Sequence, residues 1–165
     1  MVELMVVTTL MTSFGAGGGY VGVMDKTRQQ VCASNLRQLG VAVKMFAMDN
    51  DGRLPNAVFY PNPKTAAQNP RNIRNLLWPY VKNQALFLCP SAPEGLKQIG
   101  ITYVWNDRRS GHLLDSIKDP TNTLLMIDAV SVLGKPAHLG GYNILYADGH
   151  VKWSPQGPDW RQAAQ

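Results

Sequence analysis

The sequence has little charge, few cysteines and no run of basic residues. Charged residues make up 16% of its 165 positions, against about 25% in a typical soluble domain, which excludes a coiled-coil rod and a charged disordered tail. The 16 basic residues outnumber the 11 acidic ones but are scattered, so no patch of the kind that binds nucleic acid is visible. The length fits one domain with an appendage and is too short for an α/β barrel.

The longest stretch without charge lies near the start of the chain. Residues 4–24 are 21 consecutive uncharged residues, and a helix of that length spans about 32 Å, which matches the hydrocarbon thickness of a bilayer. A secretory signal peptide is the alternative, but no Lys or Arg precedes the stretch as its basic region would require. We therefore predict a transmembrane or filament-core segment over residues 1–24 and a globular head over residues 25–165.

Two features of this first segment affect its helix. Glu3 is costly to bury beside an apolar stretch and needs a partner unless it stays at the membrane surface. Each glycine costs a helix about 1 kcal/mol relative to alanine, so we expect the helix to unwind, once outside lipid, at a group of five glycines: Gly15, Gly17, Gly18, Gly19 and Gly22.

Beyond Asp25 the pattern becomes that of an amphipathic helix. Apolar residues recur at intervals of four and three, which predicts one buried helical face: Cys32, Leu36, Leu39, Val43 and Phe46. This helix is predicted to run from about residue 25 to about residue 50, where Asp51-Gly52 ends it. Prolines and asparagines predict a loop over residues 54–75, with a short helix or turn at Ile73–Val81.

The rest of the chain favours strands. β-branched and aromatic residues predict them at residues 85–88, 101–105, 123–127, 143–147 and 150–153. Asp148-Gly149 is a preferred two-residue hairpin turn, and it would pair Tyr146 with Val151 and Ile144 with Trp153. These four apolar residues would then share the face that packs on the helix.

Four short motifs occur in a fixed order along the chain. They are Val2-Glu3-Leu4-Met5-Val6-Val7, the segments 32–40 and 49–55, the pair Cys89-Pro90, and His138 followed after nine residues by Asp148-Gly149. In this order they resemble four features of a bacterial family. These are the core of its signal sequence, its amphipathic helix with the residues that follow it, a Cys-Pro pair, and the motif for which the family is named. That family comprises type IV pilin-like and type II secretion pseudopilin-like proteins, prepilin-type, with a His-x9-Asp-Gly motif.

The resemblance implies both a fold and a function. The implied fold is α+β and pilin-like, with a long N-terminal α-helix, made of an apolar stalk and an amphipathic half, packed on an antiparallel β-sheet. The implied function is that of a structural subunit, a major pilin or pseudopilin, and not of an enzyme. Such a subunit polymerises through its N-terminal helix into an extracellular type IV pilus-like filament or a periplasmic pseudopilus.

The same resemblance implies partners and contact residues. The subunit starts in the cytoplasmic membrane, is handled by a prepilin peptidase and the pilus or secretion assembly machinery, and then packs against its own copies. No cofactor and no specific nucleic acid are expected. By resemblance Glu3 pairs with the N-terminal ammonium of an adjacent subunit, and the further assembly contacts are Leu4, Val6, Val7, Leu10, Met11 and Phe14.

Cys32 and Cys89 are the only cysteines. In a pilin-like head outside the cytoplasm a disulfide between them would persist. It would close a loop of 56 intervening residues, worth about 3–4 kcal/mol of stability. Two buried free thiols are the alternative, because Cys32 lies on the apolar face of the predicted helix.

His138, Asp148 and His150 form another candidate group. Two histidines with a carboxylate can bind several metals, but Asp148 already forms the hairpin turn and no nucleophile motif accompanies them. We therefore expect a structural role for His138, Asp148 and Gly149, with no metal site and no catalytic residue. Two alternatives remain, an extracytoplasmic metalloenzyme that uses these three residues, and a membrane-tethered module that binds polysaccharide, DNA or protein without polymerising.

Overall fold

The structure, a computed structural model, describes residues 18–129 and 137–158, and the side chains of the first helix from residue 22 onward. Within these ranges the helices are α1 (Gly18–Asp49), α2 (Ile73–Val81) and α3 (Glu94–Lys97). The strands are β1 (Tyr103–Trp105), β2 (Leu124–Asp128), β3 (Tyr142–Tyr146) and β4 (Val151–Ser154). Short 3₁₀ turns occur at Gln84–Phe87, Asp107–Arg109 and Leu114–Ser116.

Helix α1 buries one face against the rest of the molecule. Four of the five predicted side chains are buried, whereas Phe46 is only partly buried. With Ala42 and Ala47 added, the buried hydrophobic residues of this face are Cys32, Leu36, Leu39, Ala42, Val43 and Ala47. Gly40 lets the sheet approach closely, because a Cβ there would stand 2.8 Å from a methyl group of Leu145. The helix ends as predicted, where Asp51 and Gly52 adopt positive φ and the Gly52 N–H donates to the Ala47 carbonyl at 2.8 Å.

The four strands form one antiparallel sheet in sequence order, β1-β2-β3-β4. The first three strands are almost wholly buried, since both sheet faces are covered. One face meets α1 and α2 in the larger core. A smaller core on the other face, beneath the loop residues Phe59 and Tyr60, contains Val104, Leu124, Ile127, Ala129, Tyr142 and Ile144.

The predicted fold class is wrong in its pilin-like first helix. We expected an apolar stalk, but no helix within the described part of the chain is long and apolar enough to cross a membrane. Within the described residues, only seven uncharged positions of α1, residues 18–24, precede its first charges at Asp25 and Lys26. The structure is compatible with the general α+β class that was predicted, since an N-terminal helix packs on an antiparallel sheet.

The predicted register of the last hairpin is wrong by one residue. Leu145 pairs with Val151, and Ile144 pairs with Lys152. The loop holds three residues, 147–149, because the Tyr146 N–H donates to the His150 carbonyl at 3.0 Å, and Gly149 takes the left-handed position with φ 95°. A one-residue slip turns side chains to the opposite face, so Leu145 rather than Ile144 packs on α1.

Most other predicted elements are found. The helix at Ile73–Val81 has the predicted bounds, because Asn72 caps it by accepting the Arg74 N–H at 3.0 Å. Four of the five predicted strands occur, with shifts of up to two residues at their ends. The predicted strand at residues 85–88 is wrong, since Asn83 accepts the Ala85 N–H and starts a 3₁₀ turn there instead.

Candidate metal centre

Four side chains with metal-binding atoms meet inside the larger core. Each offers one ligand atom, and these four atoms all lie within 4.8 Å of one another. Every one of the four residues is at most 2% exposed. They come from four separate parts of the chain, namely Cys32, Cys89, Asp128 and His138.

The three residues Cys32, Cys89 and Asp128 are placed by regular elements or by local hydrogen bonds. Cys32 belongs to the buried stripe of α1, and Asp128 is the last residue of β2. Cys89 follows the 3₁₀ turn at Gln84–Phe87, where its N–H donates to the hydroxyl of Thr102. The sheet and the first helix thus approach each other through polar groups at this point.

A tight turn holds His138. Its N–H donates to the Gly141 carbonyl at 3.0 Å, and its own carbonyl accepts the Gly141 N–H at 2.8 Å. The two central residues, Leu139 and Gly140, have φ of 48° and 79°, the positive values of a type I′ turn. The indole N–H of Trp153 also donates to the His138 carbonyl, at 3.1 Å. Three hydrogen bonds therefore fix the backbone from which the imidazole enters the core.

The four side chains contact one another directly. The Cys32 thiol donates to Asp128 Oδ1 at 2.8 Å, and Cys89 Sγ lies 3.2 Å from His138 Nε2. The same His138 nitrogen is 3.8 Å from Asp128 Oδ2. Two donors approach from outside the group, the Tyr103 hydroxyl at 3.5 Å from Cys32 Sγ and the Asn143 N–H at 3.0 Å from Asp128 Oδ2.

These contacts shift the pKa values of the group. The neighbouring Cys32 thiol lowers the pKa of Cys89 to about 6, against the effect of burial and with help from His138. Burial opposes a charged imidazole, yet the hydrogen bonds with Asp128 and Cys89 raise the pKa of His138 to about 9. Burial is the main reason why the pKa of Cys32 is raised. Both directions, a lowered pKa for Cys89 and a raised pKa for His138, favour a thiolate–imidazolium pair in the metal-free group.

The geometry favours metal binding over nucleophilic catalysis. In a cysteine-based triad the base uses one ring nitrogen for the nucleophile and the other for the carboxylate. Here Nε2 of His138 faces both Cys89 and Asp128, while Nδ1 has no hydrogen-bond partner within residues 18–129 and 137–158. Cys89 is also completely buried, so a substrate has no direct access to its sulfur.

The structure separates His138 from Asp148 and His150, the three residues that the sequence suggested as one candidate group. Asp148 and His150 are paired at 2.7 Å on the exposed hairpin, where the imidazole also stacks on Tyr146 with ring centroids 4.5 Å apart. His138 belongs to the buried cluster instead. Gly149 closes the hairpin loop with its positive φ.

Sequence reasoning paired the two cysteines and missed Asp128. The structure brings Cys32 and Cys89 together as buried free thiols, and the disulfide between them stays a prediction. The available signal for Asp128 was a lone carboxylate that ends the apolar run of residues 124–127. Such a residue is costly to bury without a partner.

The predicted assembly and glycine residues lie at the other end of the chain. Gly18, Gly19 and Gly22 belong to the first turns of α1 and are helical. The remaining residues of these two predictions lie outside the described part of the chain, namely Glu3, Leu4, Val6, Val7, Leu10, Met11, Phe14, Gly15 and Gly17.

Comparisons with known proteins leave the chain without a family. It matches no family model, no curated protein and no solved structure.

Proposed function

We propose that this protein is a structural subunit, a pilin or pseudopilin, that polymerises through its N-terminal helix. The product would be an extracellular type IV pilus-like filament or a periplasmic type II secretion pseudopilus. The ordered motifs of the sequence support this proposal, and the observation that carries it furthest is the exposed side of α1.

That exposed side is unusually apolar for a helix surface. Six large hydrophobic residues on it are between 43% and 82% exposed: Val23, Met24, Val31, Val41, Met45 and Met48. At 100° per residue they fall within an arc of about 120°. Between residues 23 and 48 the other exposed residues of this arc are also uncharged: Thr27, Gln30, Ser34 and Gln38. We call this surface the uncharged stripe.

The uncharged stripe suits a second copy of the same chain. The subunit carries a net charge of +5, so copies repel one another unless their contact surfaces are free of charge. Lys26, Arg37 and Lys44 lie outside the stripe along one of its edges, Arg37 about 20° and the two lysines about 40° beyond it, so they border the uncharged surface without interrupting it. An extended apolar surface of this kind marks an interaction site, and exposed methionines adapt well to a packing partner.

The length and position of the stripe also fit a filament. Helix α1 has 32 residues and is about 48 Å long, which gives neighbouring helices a long line of contact. In sequence the stripe continues into the uncharged residues 4–24. Head-to-tail contacts between identical subunits that do not close into a ring generate a helical filament.

A charge placed in the stripe tests this function. Burying an unpaired lysine between helices costs about 3 kcal/mol or more, so Met45→Lys should raise the critical concentration for assembly about 100-fold. Leu113→Lys is the matched control, since Leu113 is 43% exposed, close to the 45% of Met45, and lies off the helix. Pelleting assays on the purified full chain measure the critical concentration for assembly of each variant.

Two results would contradict the proposal. One is a Met45→Lys protein that pellets at the same concentration as the unsubstituted chain and the Leu113→Lys control. The other is an unsubstituted chain that stays monomeric at all concentrations, which would favour a binding module that does not polymerise.

A further inference from the structure

We propose that the buried cluster is a structural zinc site, built from Cys32, Cys89, Asp128 and His138. The four residues supply two sulfurs, one imidazole nitrogen and one carboxylate oxygen. Zn²⁺ binds all three donor types, whereas Ca²⁺ and Mg²⁺ require oxygen. This inference does not depend on polymerisation, because every ligand lies inside a single subunit.

The spacing of the ligand atoms fits one tetrahedral ion. Zinc bonds of about 2.3 Å to sulfur and about 2.0–2.2 Å to nitrogen and oxygen separate neighbouring ligand atoms by about 3.4–3.8 Å. In the structure, His138 Nε2 is 3.8 Å from Asp128 Oδ2 and 3.2 Å from Cys89 Sγ. Cys32 Sγ lies 2.8 Å from Asp128 Oδ1, and no pair exceeds 4.8 Å. Small side-chain shifts would close the four atoms around one ion.

The burial of the cluster assigns the ion a structural role. Catalytic zinc sites keep one position open for water or substrate, whereas structural sites are closed by four protein ligands. Here four protein ligands are available and none of the residues is more than 2% exposed. The ion would join α1 to the end of β2, to the loop at Cys89 and to the turn at His138.

Charge balance also suits a divalent cation. Two thiolates and one carboxylate would give the zinc-bound group a net charge of −1, with His138 neutral. The Tyr103 hydroxyl and the Asn143 N–H, which approach Cys32 Sγ and Asp128 Oδ2, would stabilise this remaining charge. On binding near neutral pH, the thiol proton of Cys32 and the proton on His138 Nε2 pass to solvent, so the affinity must fall as the pH falls.

Zinc binding and the predicted disulfide exclude each other. A Cys32–Cys89 disulfide forms by loss of two electrons and two protons to an added oxidant, and it removes both sulfur ligands. The reduced chain is therefore the form to test, and counting its free thiols distinguishes the two states.

Metal titration of the full chain tests the proposal. The chain is reduced with a phosphine, freed of metal and titrated with Co²⁺, which gives a sulfur-to-metal absorption band when thiolates bind it, and then with Zn²⁺. We expect one ion per chain and loss of the cobalt band when zinc displaces it. Zn²⁺ at 1,000 times its Kd should raise the melting temperature by about 8 °C or more, and a chelator should reverse this.

Matched variants assign the ligands. His138→Gln should weaken Co²⁺ binding more than about 100-fold, whereas His150→Gln, at the exposed histidine of the hairpin, should leave it unchanged. Tyr103→Phe removes only the donor to Cys32 Sγ and should weaken binding about 10-fold. Two free thiols with no cobalt band in the reduced chain would overturn the proposal, as would equal losses in His138→Gln and His150→Gln.

Discussion

At the scale of single residues, the polar groups in the core have the strongest consequences. Cys32, Cys89, Asp128 and His138 are buried where apolar side chains would normally pack. A buried ionised group without partners is expensive, and in the metal-free chain three short contacts link these four side chains to one another. The lowered pKa of Cys89 and the raised pKa of His138 reflect these contacts.

The pair of Cys89 and His138 makes a testable prediction about pH. A pKa of about 6 for Cys89 and about 9 for His138 keeps both groups charged between these values. In the reduced, metal-free chain, thiolate absorbance should therefore persist at pH 7 and disappear below about pH 6. A Cys89→Ser variant should lack this absorbance. An absorbance that appears only above pH 9 in the unsubstituted chain would contradict the pairing.

The same shifts affect the free energy of unfolding in opposite directions. The raised pKa of His138 adds stability that is complete below its unfolded value of 6.5 and lost as the pH rises through about 9. The lowered pKa of Cys89 adds stability that is complete above its unfolded value of 9.0 and lost as the pH falls through about 6. Between pH 6.5 and 9 the two changes offset each other.

The sequence could predict only part of this residue pattern. The pairing of Cys32 and Cys89 followed from there being two cysteines, one of them on an apolar helix face. Asp128 and His138 are brought in by the sheet pairing and by the tight turn, which are long-range features that local patterns do not contain. For that reason sequence patterns could group His138 only with Asp148 and His150, and only as an alternative; the structure places those two residues on the exposed hairpin.

At the scale of elements, helix prediction succeeded where local signals agree. For α2 the Asn72 cap and the apolar spacing point to the same segment. In the last hairpin the Asp148-Gly149 pair fits both a two-residue and a three-residue loop, and the observed three-residue loop moves the register by one. Patterning could not decide between the two registers, because β3 has apolar residues on both faces, Ile144 on one and Leu145 on the other.

The turn that holds His138 depends on close packing with β4. A Cβ on Gly141 would overlap the Ser154 carbonyl oxygen and lie 2.6 Å from the ring of Trp153. We therefore expect Gly141→Ala to lower the free energy of unfolding by about 1–3 kcal/mol, as overpacking does. Urea denaturation of the full chain measures this effect.

Gly95→Ala is the matched control for that experiment. Gly95 lies in α3 without a positive φ, and a Cβ added there would meet no atom within 4 Å among the described residues. The change should therefore be neutral or slightly stabilising. Equal effects of the two substitutions would show that the turn does not depend on this contact.

At the scale of the whole molecule, the head and the helix surface have separate roles. The larger core and the buried group of Cys32, Cys89, Asp128 and His138 hold α1 on the sheet. The opposite side of α1 presents the uncharged stripe, whose large apolar residues are 43% to 82% exposed. A stable head with an unpaired helix surface is what a polymerising subunit needs, since assembly must not unfold it.

Electron microscopy of the intact chain is the most direct test of the proposed function. Purified unsubstituted protein, negatively stained above its critical concentration, should form filaments of uniform diameter with a regular helical repeat. Particles of single-subunit size at every concentration, from a chain whose head is folded, would contradict the account.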